Sequence, residues 1–132
     1  MTHNPALDLA TFLAAAGLGL TLGTSIVVGM PRDAAPNIPI DAVFVHGFGG
    51  QPATRIMGGS KEVRWPLLML QVRNDSMQIG DTLARDILDA LANSTIAAYL
   101  DVEPLQSEPT YAGQDENQDH MWNHTFKLVY EE

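Results

Sequence analysis

The sequence predicts an α+β fold: a mainly antiparallel sheet of about four to six strands with two main helices on one face. Three observations predict it. Residues 62–91 run from an apolar strand pattern straight into an amphipathic helix pattern. Residues 120–130 alternate, with Trp122, His124, Phe126, Leu128 and Tyr130 on one side and Met121, Asn123, Thr125 and Lys127 on the other. The strand patterns also come in runs rather than in strict alternation with helices.

In chain order, Asn4 can cap a first helix with Pro5 at its first position. Leu9, Phe12, Leu13 and Ala16 give that helix an apolar side, and Gly17 is suited to end it. Residues 23–30 read as a strand with Ile26, Val28 and Met30 on one face. Pro31, Pro36 and Pro39 punctuate a non-helical connector. Residues 41–46 form a second strand. Residues 47–61 carry Gly47, Gly49, Gly50, Gly58 and Gly59 with little periodicity, and read as a long flexible loop that orders on assembly.

The strand 63–72 is apolar on both faces: Leu68, Leu70 and Val72 one way, Trp65, Leu67 and Met69 the other. Pro66 cannot donate to a ladder and marks a strand start or a bulge. Asp75 with Gln78 fits a capping box. The helix that follows places Ile79, Leu83, Ile87 and Leu91 at i, i+4 spacing beside Ala84 and Leu88, with Asp81, Arg85, Asp86 and Asp89 largely opposite. Asn93 and Ser94 end it. Residues 102–108 can form an edge strand around Pro104, and residues 110–119 a polar turn.

The chain has 132 residues, enough for one domain over 1–132, and 45% are hydrophobic, which argues against wholesale disorder. A net charge of −9 makes it a poor grip for nucleic acid. It contains no cysteine, so disulfides, thiolate metal sites and a cysteine nucleophile are excluded. Residues 6–22 lack the basic flank of a signal peptide, and Asp8, Gly17 and Gly19 interrupt them as a membrane span. The expectation is a soluble, unprocessed protein.

Few residues form a chemical constellation. His46-Gly47-Phe48-Gly49-Gly50 is like a hydrolase oxyanion loop, but no Gly-x-Ser-x-Gly elbow accompanies it; a small hydrolase would have to use His46 with Ser60 or Ser76. The glycine clusters lack dinucleotide and phosphate-loop spacing. His120 and His124 would form a zinc pair on a helix, but on a strand their Cα atoms are roughly 13 Å apart. Asp115, Asn117 and Asp119 mimic a calcium loop whose sixth and twelfth positions fail as His120 and Phe126. No catalytic residue, cofactor or metal ligand is assigned. Arg55, Lys61 and Arg64 are three of the seven basic residues and cluster beside the glycine-rich stretch. With Trp65, Leu67 and Met69 they are the subunit-interface candidates.

Several segments together resemble the tail-terminator proteins of long-tailed bacteriophages, also called phage minor capsid or tail-completion proteins. They are Gly17-Leu18-Gly19, Gly29-Met30-Pro31, the strand entry at 39–43 with Gly49-Gly50, Val72-Arg73-Asn74 before the helix, Pro109-Thr110-Tyr111-Ala112-Gly113-Gln114-Asp115-Glu116, and the closing Lys127-Leu128-Val129-Tyr130. The resemblance covers nearly the whole chain and lies in the order of elements. It implies a non-enzymatic virion protein without cofactor, made in the bacterial cytoplasm and located at the head-proximal end of the tail. There a homo-hexameric ring would stop tube polymerisation and serve head-tail joining. Its partners would be its own copies, the major tail tube protein and a head-tail connector or neck protein, with DNA only in transit and no membrane. The alternative within the same class is a head-completion or neck connector protein.

Overall fold

The computed structural model describes residues 4–23, 25–29, 41–55, 61–92, 95–96, 99–114 and 118–131. Met30 and the proline connector, residues 56–60 of the expected loop, Asn93 and Ser94, and Asp115 and Asn117 lie outside them.

The described elements are α1 (Pro5–Ala14), β1 (Ile26–Val28), β2 (Ala42–Arg55), β3 (Glu62–Asn74), α2 (Met77–Ala92), β4 (Asp101–Pro104), β5 (Thr110–Gln114) and β6 (His120–Glu131). One six-stranded sheet holds the order β1-β2-β3-β6-β4, with β5 also pairing β6. Among the named strands of the described residues, β1–β2 is parallel and the other pairings are antiparallel. The fold is therefore the expected α+β class.

Register decides which side chains share a layer. Val43 lies opposite Val72 and Val45 opposite Leu70. Leu68, Leu70 and Val72 in turn lie opposite Phe126, His124 and Trp122. All of these side chains are buried. Leu9, Ala10 and Leu13 of α1 and Ala84, Ile87 and Leu91 of α2 complete the same apolar cluster. Both helices thus cover one face. On the other face Val27, Ala42 and Phe44 form a small separate cluster.

The helices start on side-chain caps. The Asn4 carboxamide oxygen accepts from Leu7 N at 3.3 Å, and Pro5 opens α1. At α2 the cap is Ser76 rather than Asp75. Ser76 Oγ accepts from Ile79 N at 3.4 Å, and Asn74 Oδ1 accepts from Ser76 N at 2.8 Å. Asp75 is instead held by its own N–H, which donates to Asp41 Oδ1 at 3.2 Å. The buried stripe of α2 is Gly80, Ala84, Ile87 and Leu91. Ile79, expected on that stripe, is 63% exposed.

Gly80 is where α2 comes closest to the sheet. A Cβ there would overlap the Trp122 ring and lie 2.9 Å from Asn74 Cβ. A side chain at this position would push helix and strand apart. Tyr99 ties the chain before β4 to α1: its hydroxyl donates to Asp8 Oδ2 at 2.6 Å, and its ring meets Tyr130 edge-on at 5.7 Å.

Candidate assembly interface

Most of the stretch expected to be a loop is strand. β2 continues to Arg55 and pairs with β3 as far as Arg55–Glu62. Its register shifts between Gly47 and Gly50, and again between Gln51 and Thr54. Pro66, which cannot donate to the ladder, faces Gly50 across the first shift. Gly49 and Gly50 have φ +93° and +125°, and a Cβ on Gly50 would overlap the Trp65 carbonyl oxygen. Glycine is therefore required for the two strands to approach past the bulge. β6 extends alongside, reaching Glu131 opposite Val63. The outcome is a three-stranded arm made of the outer halves of β2 and β3 and the end of β6.

The expected interface residues lie on this arm and at its root, but not as one patch. Trp65, Leu67 and Met69 are half-buried on the face away from the helices. Arg64 points to the opposite, helix-side face, opposite Tyr130. Arg55 and Lys61 stand at the tip. Their carboxylate neighbours are in the same chain: Arg55 with Glu62 at 3.5 Å, Lys61 with Glu131 at 3.5 Å, and Arg64 with Glu62 at 3.2 Å. All three cations are solvent-exposed, so each pair contributes about 0–1 kcal/mol and can be exchanged for another acidic partner at little cost.

Between the arm and the start of α1 lies a groove of about 440 Å³, lined among others by Pro5, Gly49, Pro66, Leu68 and Tyr130, with Arg64 beside them. No sequence pattern marks this groove, because its walls come from four separate elements. A second, shallower depression of about 330 Å³ lies on α2, where Ile79, Thr82, Leu83 and Asp86 line up.

The other residues singled out in the sequence do not form a reactive set. His46 sits on β2 opposite Met69, while Ser76 caps α2 beyond the far end of β3. The span from Met69 to Asn74 alone is roughly 16 Å, too long for a dyad. Ser60 lies outside the described residues. His120 and His124 are on a strand and hydrogen-bond separately, to the Tyr111 hydroxyl at 2.7 Å and to the Gln106 carbonyl oxygen at 3.1 Å. Burial holds the His124 imidazole below the ordinary histidine range, against the smaller opposing effect of the Gln106 carbonyl. Burial, with the bond to Asp8 second, pushes the Tyr99 hydroxyl above the usual tyrosine range. Asp119 is not a calcium ligand in waiting; it is buried against Arg73 at 3.2 Å. Among the described residues no group of three or more His, Asp or Glu could hold a metal ion. No helix among them is long and apolar enough to cross a membrane.

The expected polar turn at 110–119 also differs. Its first half is β5, which pairs with β6 through a register shift between Tyr111 and Gly113. Tyr111, itself 42% exposed, packs edge-on against the buried Trp122 at 5.5 Å.

No protein-family profile matches the chain, and no curated protein matches it. Among solved structures, the fold is similar to a chain of a virion of a native gene transfer agent (GTA) particle. The TM-score is 0.65 at 15% sequence identity, over 97% of this chain and 96% of the other. At that identity the likeness is one of fold.

Proposed function

We propose that this protein is a structural virion component of a phage-type particle and, within that class, a tail terminator. The observation that carries the reading is the end-to-end likeness of fold to a chain from a gene transfer agent virion, with 97% of this chain covered. The order of sequence segments described above supports the finer assignment.

In this reading copies of the chain close into a hexameric ring on the finished tail tube, block further addition of tube subunits and present a surface to a head-tail connector or neck protein. No catalysis and no cofactor are involved. Arg55, Lys61, Arg64, Trp65, Leu67 and Met69 supply contacts to the neighbouring copy and to the major tail tube protein. A sheet face that is half-buried and apolar in one chain is what a neighbour would cover. The net charge of −9 keeps DNA in transit from adhering to the ring.

The test is electron microscopy of tails assembled with and without the protein. The expected result is overlong tubes in its absence and tubes of uniform length when it is restored. Tubes of normal length in its absence, with the protein found bound to a portal-side ring, would move the assignment to a neck connector.

A further inference from the structure

A ring larger than a dimer needs a head-to-tail contact between two different surfaces. Two such surfaces are present and match. One is the groove under the arm, floored by the buried Leu68 and Tyr130 and rimmed by Pro5, Ala53 and the half-buried Pro66, with the cation Arg64 at its edge. The other is the stripe Ile79–Thr82–Leu83–Asp86 on α2, exposed at Ile79, Thr82 and Asp86 and half-buried at Leu83, which also packs on the core. These positions are i, i+3, i+4 and i+7, the spacing with which a helix enters a groove. Ile79 is 63% exposed and the neighbouring Met77 51%, so the two set adjacent apolar side chains at the start of the stripe. Asp86 closes the stripe with a charge opposite to that of Arg64.

The two surfaces cannot meet within one chain. The groove lies beside Arg64 and α2 starts beyond Asn74, a distance of roughly 33 Å along β3. We propose that the α2 stripe of one copy seats in the arm groove of the next, with Ile79 and Leu83 inside and Asp86 facing Arg64. This contact rests on the ring reading above and names one of the surfaces through which neighbouring copies would meet.

The absence of cysteine allows a direct test. A tagged Ala53→Cys chain, marked in the groove, is mixed with an untagged Met77→Cys chain under mild oxidation, with Thr11→Cys replacing Ala53→Cys as the control. The expected product is a mixed dimer of intermediate size, well above the control. A yield equal to the control overturns the proposal. In parallel, Arg64→Glu and Asp86→Arg should each weaken self-association by about tenfold or more, and the double variant should recover it. Single variants that associate like the parent chain also overturn it. If instead Arg64→Glu leaves self-association intact but abolishes binding to tube ends, the groove holds the tube protein and not a second copy. If cross-linking succeeds while tubes grow to normal length without the protein, the contact stands and the tail-terminator reading falls.

Discussion

The two halves of β3 share one strand and differ in what they are for. From Leu68 to Asn74 every second side chain is fully buried under α1 and α2, and the ladder to both neighbours is regular. From Glu62 to Leu67 no side chain is fully buried, the β2 ladder slips twice, and charged pairs gather at the tip. The inner half is held by the chain's own core. The outer half holds surfaces that one chain leaves half covered. A strand can therefore be apolar on both faces for two separate reasons, one satisfied in the monomer and one, in our proposal, satisfied by assembly.

Substitutions sort along that division. The largest effect is expected at Leu70, where Leu70→Ala should cost about 2–5 kcal/mol in urea unfolding, because the layer between Val45 and His124 cannot collapse around the void. Leu67→Ala, on the outer half, should cost clearly less; an equal loss would erase the distinction. Gly80→Ala should cost about 1–3 kcal/mol despite improving helix propensity, since the methyl group meets the Trp122 ring. A stabilised Gly80→Ala chain would show that α2 has room to shift.

Tyr99→Phe removes the bond to Asp8 while keeping the ring against Tyr130, and a loss of about 1 kcal/mol is expected. His124 gives the inner half a pH signature. Its folded-state pKa is lowered, so the unfolded chain takes up the proton first. Stability is then full above about pH 6.5 and declines as the pH falls from there toward the folded-state value, by at most about 1.4 kcal/mol per pH unit. His124→Gln should flatten that part of the unfolding profile; an unchanged slope would assign it to other groups. The smallest effect is expected at the tip, where Arg55→Ala should change stability by less than about 0.5 kcal/mol.

Legibility in the sequence followed the same boundary. The alternation from Trp122 to Tyr130 and the pairing of Leu68, Leu70 and Val72 could be read directly, because a one-sided core imposes period two. The arm could not be read, because each register shift breaks the alternation and glycines in positive φ look like loop residues. β5 was hidden for a related reason: most of its side chains are exposed, so burial leaves no pattern. At α2 the choice between Asp75 and Ser76 as cap was decided by Asn74 and Asp41 drawing the preceding backbone into their own hydrogen bonds. Ile79 is a surface residue because Gly80 is the one that meets Trp122 and Asn74. The groove was invisible because Pro5, Gly49, Leu68 and Tyr130 are brought together only by the fold.

The central claim is that the uncovered face of β3 serves assembly and not folding. Trp65→Lys tests it most directly, with thermal unfolding and capping of tail tubes measured on the same preparation. The account predicts a cooperative unfolding transition within a few degrees of the parent chain, together with loss of ring formation and overlong tubes. A Trp65→Lys chain that fails to fold, or one that folds and still caps tubes normally, would contradict it.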